Sequence, residues 1–119
     1  MLVTAHDRRL FAQAALKAVG ADAKVRVGAL LARGRTTLAV CTNFASPGEP
    51  TPWKHAERQV LRDYERQFNC TLYVARLGLN GELRPSFPCV DCWDHVHYGS
   101  TVSKIVYVDA EHILRKERI

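Results

Sequence analysis

The chain has no apolar run approaching the ~20 residues that a membrane-spanning helix needs, which excludes a helical membrane protein. A secretory leader is not expected either, because Asp7, Arg8 and Arg9 stand where an apolar h-region would lie. It is therefore expected to stay in the cytoplasm. Cysteine is scarce, four in 119 residues, and without export a disulfide framework is not expected. No repeat and no low-complexity tract interrupts the sequence. Its 119 residues leave no room for two domains, so one domain over 1–119 is expected, long enough to bury a core without staples. No dedicated interface motif is present, which points to a monomer.

What is present is an ordinary globular balance, 47% apolar and 24% charged. Seventeen basic residues against twelve acidic ones give a net charge of +5, a modest argument for a polyanionic partner. Residues 7–19 carry Leu10, Phe11, Ala14, Ala15 and Ala18 at helical spacing and end at Gly20. Two apolar runs, 24–32 and 36–42, flank a Gly-containing turn and predict a hairpin. Residues 44–53 hold four prolines or glycines and predict a stiff loop. A helix is expected over 55–68, a strand over 70–77, and a loop over 78–88 with its turn at Asn80-Gly81. A short helix over 89–99 opens after Pro88, and a strand follows over 104–109. The charged tail reads as helix or edge strand. Cys41 and Cys70 lie in strand-like runs and read as small core residues; His6 and His112 read as exposed.

This order predicts an α/β fold of three layers, α/β/α, with one mixed sheet opened by the hairpin and helices on both faces. The crossovers from 36–42 to 70–77 and from 70–77 to 104–108 each contain one helix and are expected to be parallel and right-handed. Both crossover helices then begin at the carboxyl ends of the strands, where open α/β sheets bind ligands.

Those two helix starts carry the chemistry. The first holds His55, Ala56 and Glu57; the second holds Pro88, Cys89 and Cys92. Two thiolates three residues apart plus one imidazole make three ligands for a zinc ion, leaving a position for water. Glu57 is close enough to shuttle protons without binding the metal. A rival site of Cys89, Cys92, His95 and His97 would crowd all four ligands on one short segment and surround a metal poorly. His-x-Glu at 55–57, thirty intervening residues, then Pro-Cys-x-x-Cys at 88–92 is the signature of zinc-dependent nucleobase deaminases. Over nearly its whole length the chain resembles the cytidine deaminase-like superfamily.

That resemblance implies a Zn2+ cofactor held by His55, Cys89 and Cys92. Glu57 would protonate the ring nitrogen and then the leaving ammonia. The backbone N–H of Ala56 would bind the base carbonyl, and Asn43 would contact the sugar. Free cytidine deaminases usually carry Cys as first ligand and Glu two residues after the Asn. Here those positions are His55 and Ala45. Deoxycytidylate deaminases do use His-Ala-Glu but are usually longer. The closer resemblance is to polynucleotide deaminases, with cytosine in DNA, single-stranded above all and possibly double-stranded, as the expected substrate. A free nucleotide or nucleoside, or a base in RNA, is the alternative, and adenine is a possible target base. Phe44, Trp53, Ser86 and Phe87 border the expected pocket, and the aromatic ones could stack bases. Lys54, Arg58 and Arg84 could meet phosphates. The loop at 108–112 carries Asp109 and Glu111, which would repel phosphate unless the basic tail folds back.

Overall fold

The computed structural model describes residues 1–21, 26–43, 56–61, 68–88, 92–94, 96 and 102–119. The first helix, α1, is Ala5–Val19. It starts two residues before the periodicity suggests, because Thr4 and Asp7 form a reciprocal cap. The Asp7 N–H donates to the Thr4 hydroxyl at 3.0 Å, and the Thr4 N–H donates to the Asp7 carboxylate at 2.9 Å. Gly20 ends it.

The hairpin follows as β1, Arg26–Arg33, and β2, Thr36–Thr42. Gly34 turns it at φ 59°, a left-handed conformation that suits glycine. Next come α2, Ala56–Leu61, and β3, Cys70–Leu77. A two-residue strand, β4, Leu83–Arg84, folds back on β3 inside what the sequence suggests is plain loop. Residues 92–94 and 96 are helical, within the short helix expected after Pro88. The chain ends in β5, Val102–Val108, and β6, Leu114–Arg118. The tail is therefore an edge strand, antiparallel to β5.

The sheet runs β2-β1-β3-β5-β6, with β4 on β3. Because β1 is antiparallel to both β2 and β3, β2 and β3 run the same way, and β5 is parallel to β3. The expected parallel crossovers are thus present in direction, but β2 and β3 are not neighbours: β1 lies between them. The carboxyl ends of β2, β3 and β5 share one rim of the sheet.

Alternation along the central strands sorts the core into two layers. Ala29, Leu31, Leu72, Val74, Ile105 and Tyr107 face one side and pack with Ala56, Val60, Leu61 and Val96. Leu30, Ala32, Tyr73, Ala75, Val106 and Val108 face the other side and pack with Leu10, Phe11 and Ala14 of α1. A sheet covered on both faces explains the unbroken apolar stretch of β1, where Gly28–Ala32 is buried throughout. Cys70 is buried, as expected, and Cys41 packs half-buried on the core. Helix α1 lies very close to β1, since a Cβ added at Gly28 would fall 1.9 Å from the Ala14 carbonyl oxygen. Here glycine is required by proximity.

Candidate active site

Helix α2 and the segment beginning at Cys92 rest on the same face of the sheet, through Ala56, Val60 and Val96. Glu57 lies in the first turn of α2 and is only 5% exposed. The positive end of a helix favours an acidic group there, but a carboxylate withdrawn from water persists only where partners or a cation compensate. Cys92 is completely buried, at the start of the neighbouring helical segment. His55 and Cys89 lie outside the described residues, as do Phe44, Trp53, Lys54, His95 and His97 and the side chain of Arg58. With two of the three motif ligands outside them, no cluster of three His, Cys, Asp or Glu forms among the described residues.

Asn43 directly follows β2. Its side-chain carbonyl accepts the Val27 N–H at 2.8 Å, and its own N–H donates to the Val27 carbonyl at 3.2 Å. It therefore fastens the open end of the hairpin at the rim of the sheet. Ser86 is buried. The registered pairing of β3 with β5 stops at Tyr73–Val106, and beyond it Ser86 bridges the two strands. Its hydroxyl donates to the Val74 carbonyl at 2.7 Å and accepts the Val108 N–H at 2.9 Å. Its own N–H donates to the Val108 carbonyl at 2.9 Å. Ser86 thus joins β3 to β5 where their direct pairing ends.

Phe87 is 44% exposed and joins an aromatic group that sequence reasoning missed. Its ring lies 4.7 Å from Trp93 at 45° and 4.9 Å from Tyr107, edge to face. Trp93 directly follows Cys92, so its position in the motif was the available signal. Tyr107 is buried and hydrogen-bonded to Glu117; burial first, then Glu117, pushes its hydroxyl up to about 12. Arg84 is exposed and pairs at 3.6 Å with Glu82. In the loop after β5, Asp109 is taken by Arg115 at 2.7 Å, so one of the two acids there is offset by the basic tail.

The zinc-binding region of cytidine and deoxycytidylate deaminases matches residues 5–109. The chain belongs to this deaminase family. Among solved structures it is similar to a cytidine deaminase from Burkholderia pseudomallei, at 17% identity and a TM-score of 0.66, over 93% of this chain and 91% of that one. At that identity the likeness carries the fold, a cytidine deaminase-like one. No curated protein sequence matches.

Zinc is the metal of this deaminase family. The donor chemistry here suits it: the Cys92 thiol and the Glu57 carboxylate are both hidden from water, on helical segments that pack on the same face of the sheet. The opposite face of the deaminase sheet carries a different polar group. Asp7, in the first turn of α1, is buried against the sheet, where it accepts the Tyr73 hydroxyl at 2.7 Å and the Lys116 ammonium at 2.9 Å. Burial raises its pKa, but hydrogen bonds from Thr4, Lys116 and Tyr73 outweigh that and hold the carboxyl at about 2. Tyr73 is pushed upward, by burial and then by Asp7. This group ties α1, β3 and β6 together, away from the deaminase motif. No described helix is long and apolar enough to cross a membrane.

Proposed function

We propose that this deaminase hydrolyses cytosine to uracil in DNA, with single strands as the preferred form. His55, Cys89 and Cys92 hold the zinc, which when bound supplies an acidified water. The Glu57 carboxylate carries a proton to N3 of the base and a second to the departing amino group, so water and cytosine become uracil and ammonia. Its burial keeps those protons from bulk solvent. The Ala56 N–H orients the base carbonyl, and Asn43 positions the sugar. Phe44, Trp53 and Phe87 flank the target base, and Lys54, Arg58 and Arg84 meet the phosphates. The buried Glu57 on the first turn of α2 carries the chemical part of this reading.

The polymer part is supported by the +5 charge, by His rather than Cys at 55 and by Ala rather than Glu at 45. A second reading, turnover of free cytidine or deoxycytidylate, is favoured by the family's two named substrates and by the similar solved structure. A competition separates them. Zinc-loaded protein is mixed with a single-stranded oligonucleotide and deoxycytidylate at equal cytosine concentration, and uracil is measured in each by mass spectrometry. Uracil in the oligonucleotide alone is the expected result; uracil in the mononucleotide alone overturns the DNA reading.

A further inference from the structure

We infer that Arg76 and Arg84 form a phosphate-binding pair that seats the backbone beside the target nucleotide of a polynucleotide. This rests on the DNA reading above. Arg76 of β3 and Arg84 of β4 are direct cross-strand partners, and Val27 of β1 is the partner of Arg76 on its other side. Asn43 is bonded twice to Val27. Asn43, Val27, Arg76 and Arg84 therefore make one row across the rim of the sheet, and cross-strand partners project to the same face. That face is the one carrying Glu57 and Cys92, since Leu72 and Val74, an even number of residues before Arg76, pack with Ala56, Val60 and Val96.

Two guanidinium groups set directly opposite each other repel. Arg76 is exposed, with no ion-pair partner among the described residues, and Arg84 has only Glu82 at 3.6 Å on an exposed surface. An anion shared between the two forks relieves that repulsion, and phosphate suits paired guanidinium donors. A hollow of about 370 Å³ opens at the pair, lined also by Leu79, Asn80 and the acidic Glu82. Leu79 is 81% exposed and offers an apolar surface beside the charge. The turn beneath is fixed: Arg26 donates to the Gly78 carbonyl at 3.1 Å, and Glu82 accepts the Asn80 N–H at 3.1 Å.

Position decides between a free nucleotide and a strand. Strands stand about 4.8 Å apart, so the three steps from Asn43 to Arg84 span about 15 Å. A nucleotide whose sugar lies at Asn43 carries its own phosphate directly on that sugar. The arginine pair lies farther out, where a neighbouring nucleotide's phosphate runs.

The test compares wild type with the double variant Arg76→Gln/Arg84→Gln, both zinc-loaded, on a fluorescent single-stranded oligonucleotide over a salt series. Each phosphate contact contributes about −0.7 to the slope of log affinity on log salt. The pair shares one phosphate, so the double variant is expected to lose about 0.7 from that slope, with a raised KM for oligonucleotide deamination. Glu82→Gln removes the acid that competes for Arg84 and is expected to tighten binding about two- to fivefold, a gain that misfolding cannot imitate. If wild type deaminates the oligonucleotide and the double variant keeps its full salt slope, the arginine pair is overturned and the DNA reading stands. If wild type neither binds nor deaminates the oligonucleotide, both fall.

Discussion

Asp7 and Lys116 stand 109 positions apart in the chain and meet at 2.9 Å, almost out of reach of water. The pair closes the last strand of the sheet onto the first helix. Removing one partner of a buried ion pair strands the other and costs about 3–5 kcal/mol. Lys116→Met strands the Asp7 carboxylate and is expected to cost that much, and Asp7→Ala more still, because Asp7 also caps α1 and accepts from Tyr73. Urea unfolding of the two variants measures the difference; equal losses would mean that Tyr73 and the cap contribute little.

The same carboxylate sets a pH dependence. Its folded pKa of about 2 lies below the ordinary 3.8, so the charged form favours folding. That stability is fully present above about pH 4 and is lost as pH falls through 4 toward 2, by about 2 kcal/mol in all. Asp7→Asn is expected to be less stable at pH 6 and to flatten the decline over that window. Denaturation midpoints at pH 6, 4 and 3 check it, and an undiminished decline in the variant would assign the acid sensitivity elsewhere.

Gly28 gives a steric prediction. A methyl group there meets the Ala14 carbonyl oxygen at 1.9 Å and the Ala18 nitrogen at 3.0 Å, both backbone atoms. Neither can swing aside, so α1 must lift from β1. Gly28→Ala is expected to cost about 1–3 kcal/mol or more, seen as a lowered thermal midpoint. An unshifted midpoint would show that α1 moves freely.

Local signals and long-range contacts explain what could be read in advance. Strand β3 matches its expected 70–77 bounds, because an apolar run buried on both faces needs no partner to be recognised. Apolar periodicity locates helix α1 but not its cap, which depends on one Thr–Asp pair. The tail stayed ambiguous because LRKER has no apolar alternation. Its strand state comes from pairing with the β5 backbone and from Asp7, 109 positions away. Strand β4 is two residues long and exists only through its pairing with β3. In the site, Glu57 and Cys92 were visible as a spaced motif. The roles of Ser86 and of the Phe87–Trp93–Tyr107 group were not, since each is defined by neighbours that only the folded sheet supplies.

Ser86 can act as a brace or as a substrate contact, and the two differ in readout. Ser86→Ala leaves the Val74 carbonyl and the Val108 N–H without their bridge, at a cost of about 1–3 kcal/mol. The expected outcome is lower stability with zinc content and KM nearly unchanged. A raised KM with unchanged stability would instead place the hydroxyl on the substrate.

Glu57 separates chemistry from architecture. Glu57→Gln keeps the shape of a side chain that is 5% exposed but cannot carry the proton. It is expected to bind zinc at one equivalent by atomic emission, to melt close to wild type, and to lose on the order of 10²–10⁴-fold in kcat. Stripping the metal with a chelator is expected to abolish turnover in wild type as well, and readded zinc to restore it. In the variant readded zinc restores nothing, because the metal is not what is missing. Turnover near wild type in a zinc-loaded Glu57→Gln protein would remove Glu57 from the reaction. Loss of zinc together with activity would make it a ligand, or a support for one, in place of a proton carrier.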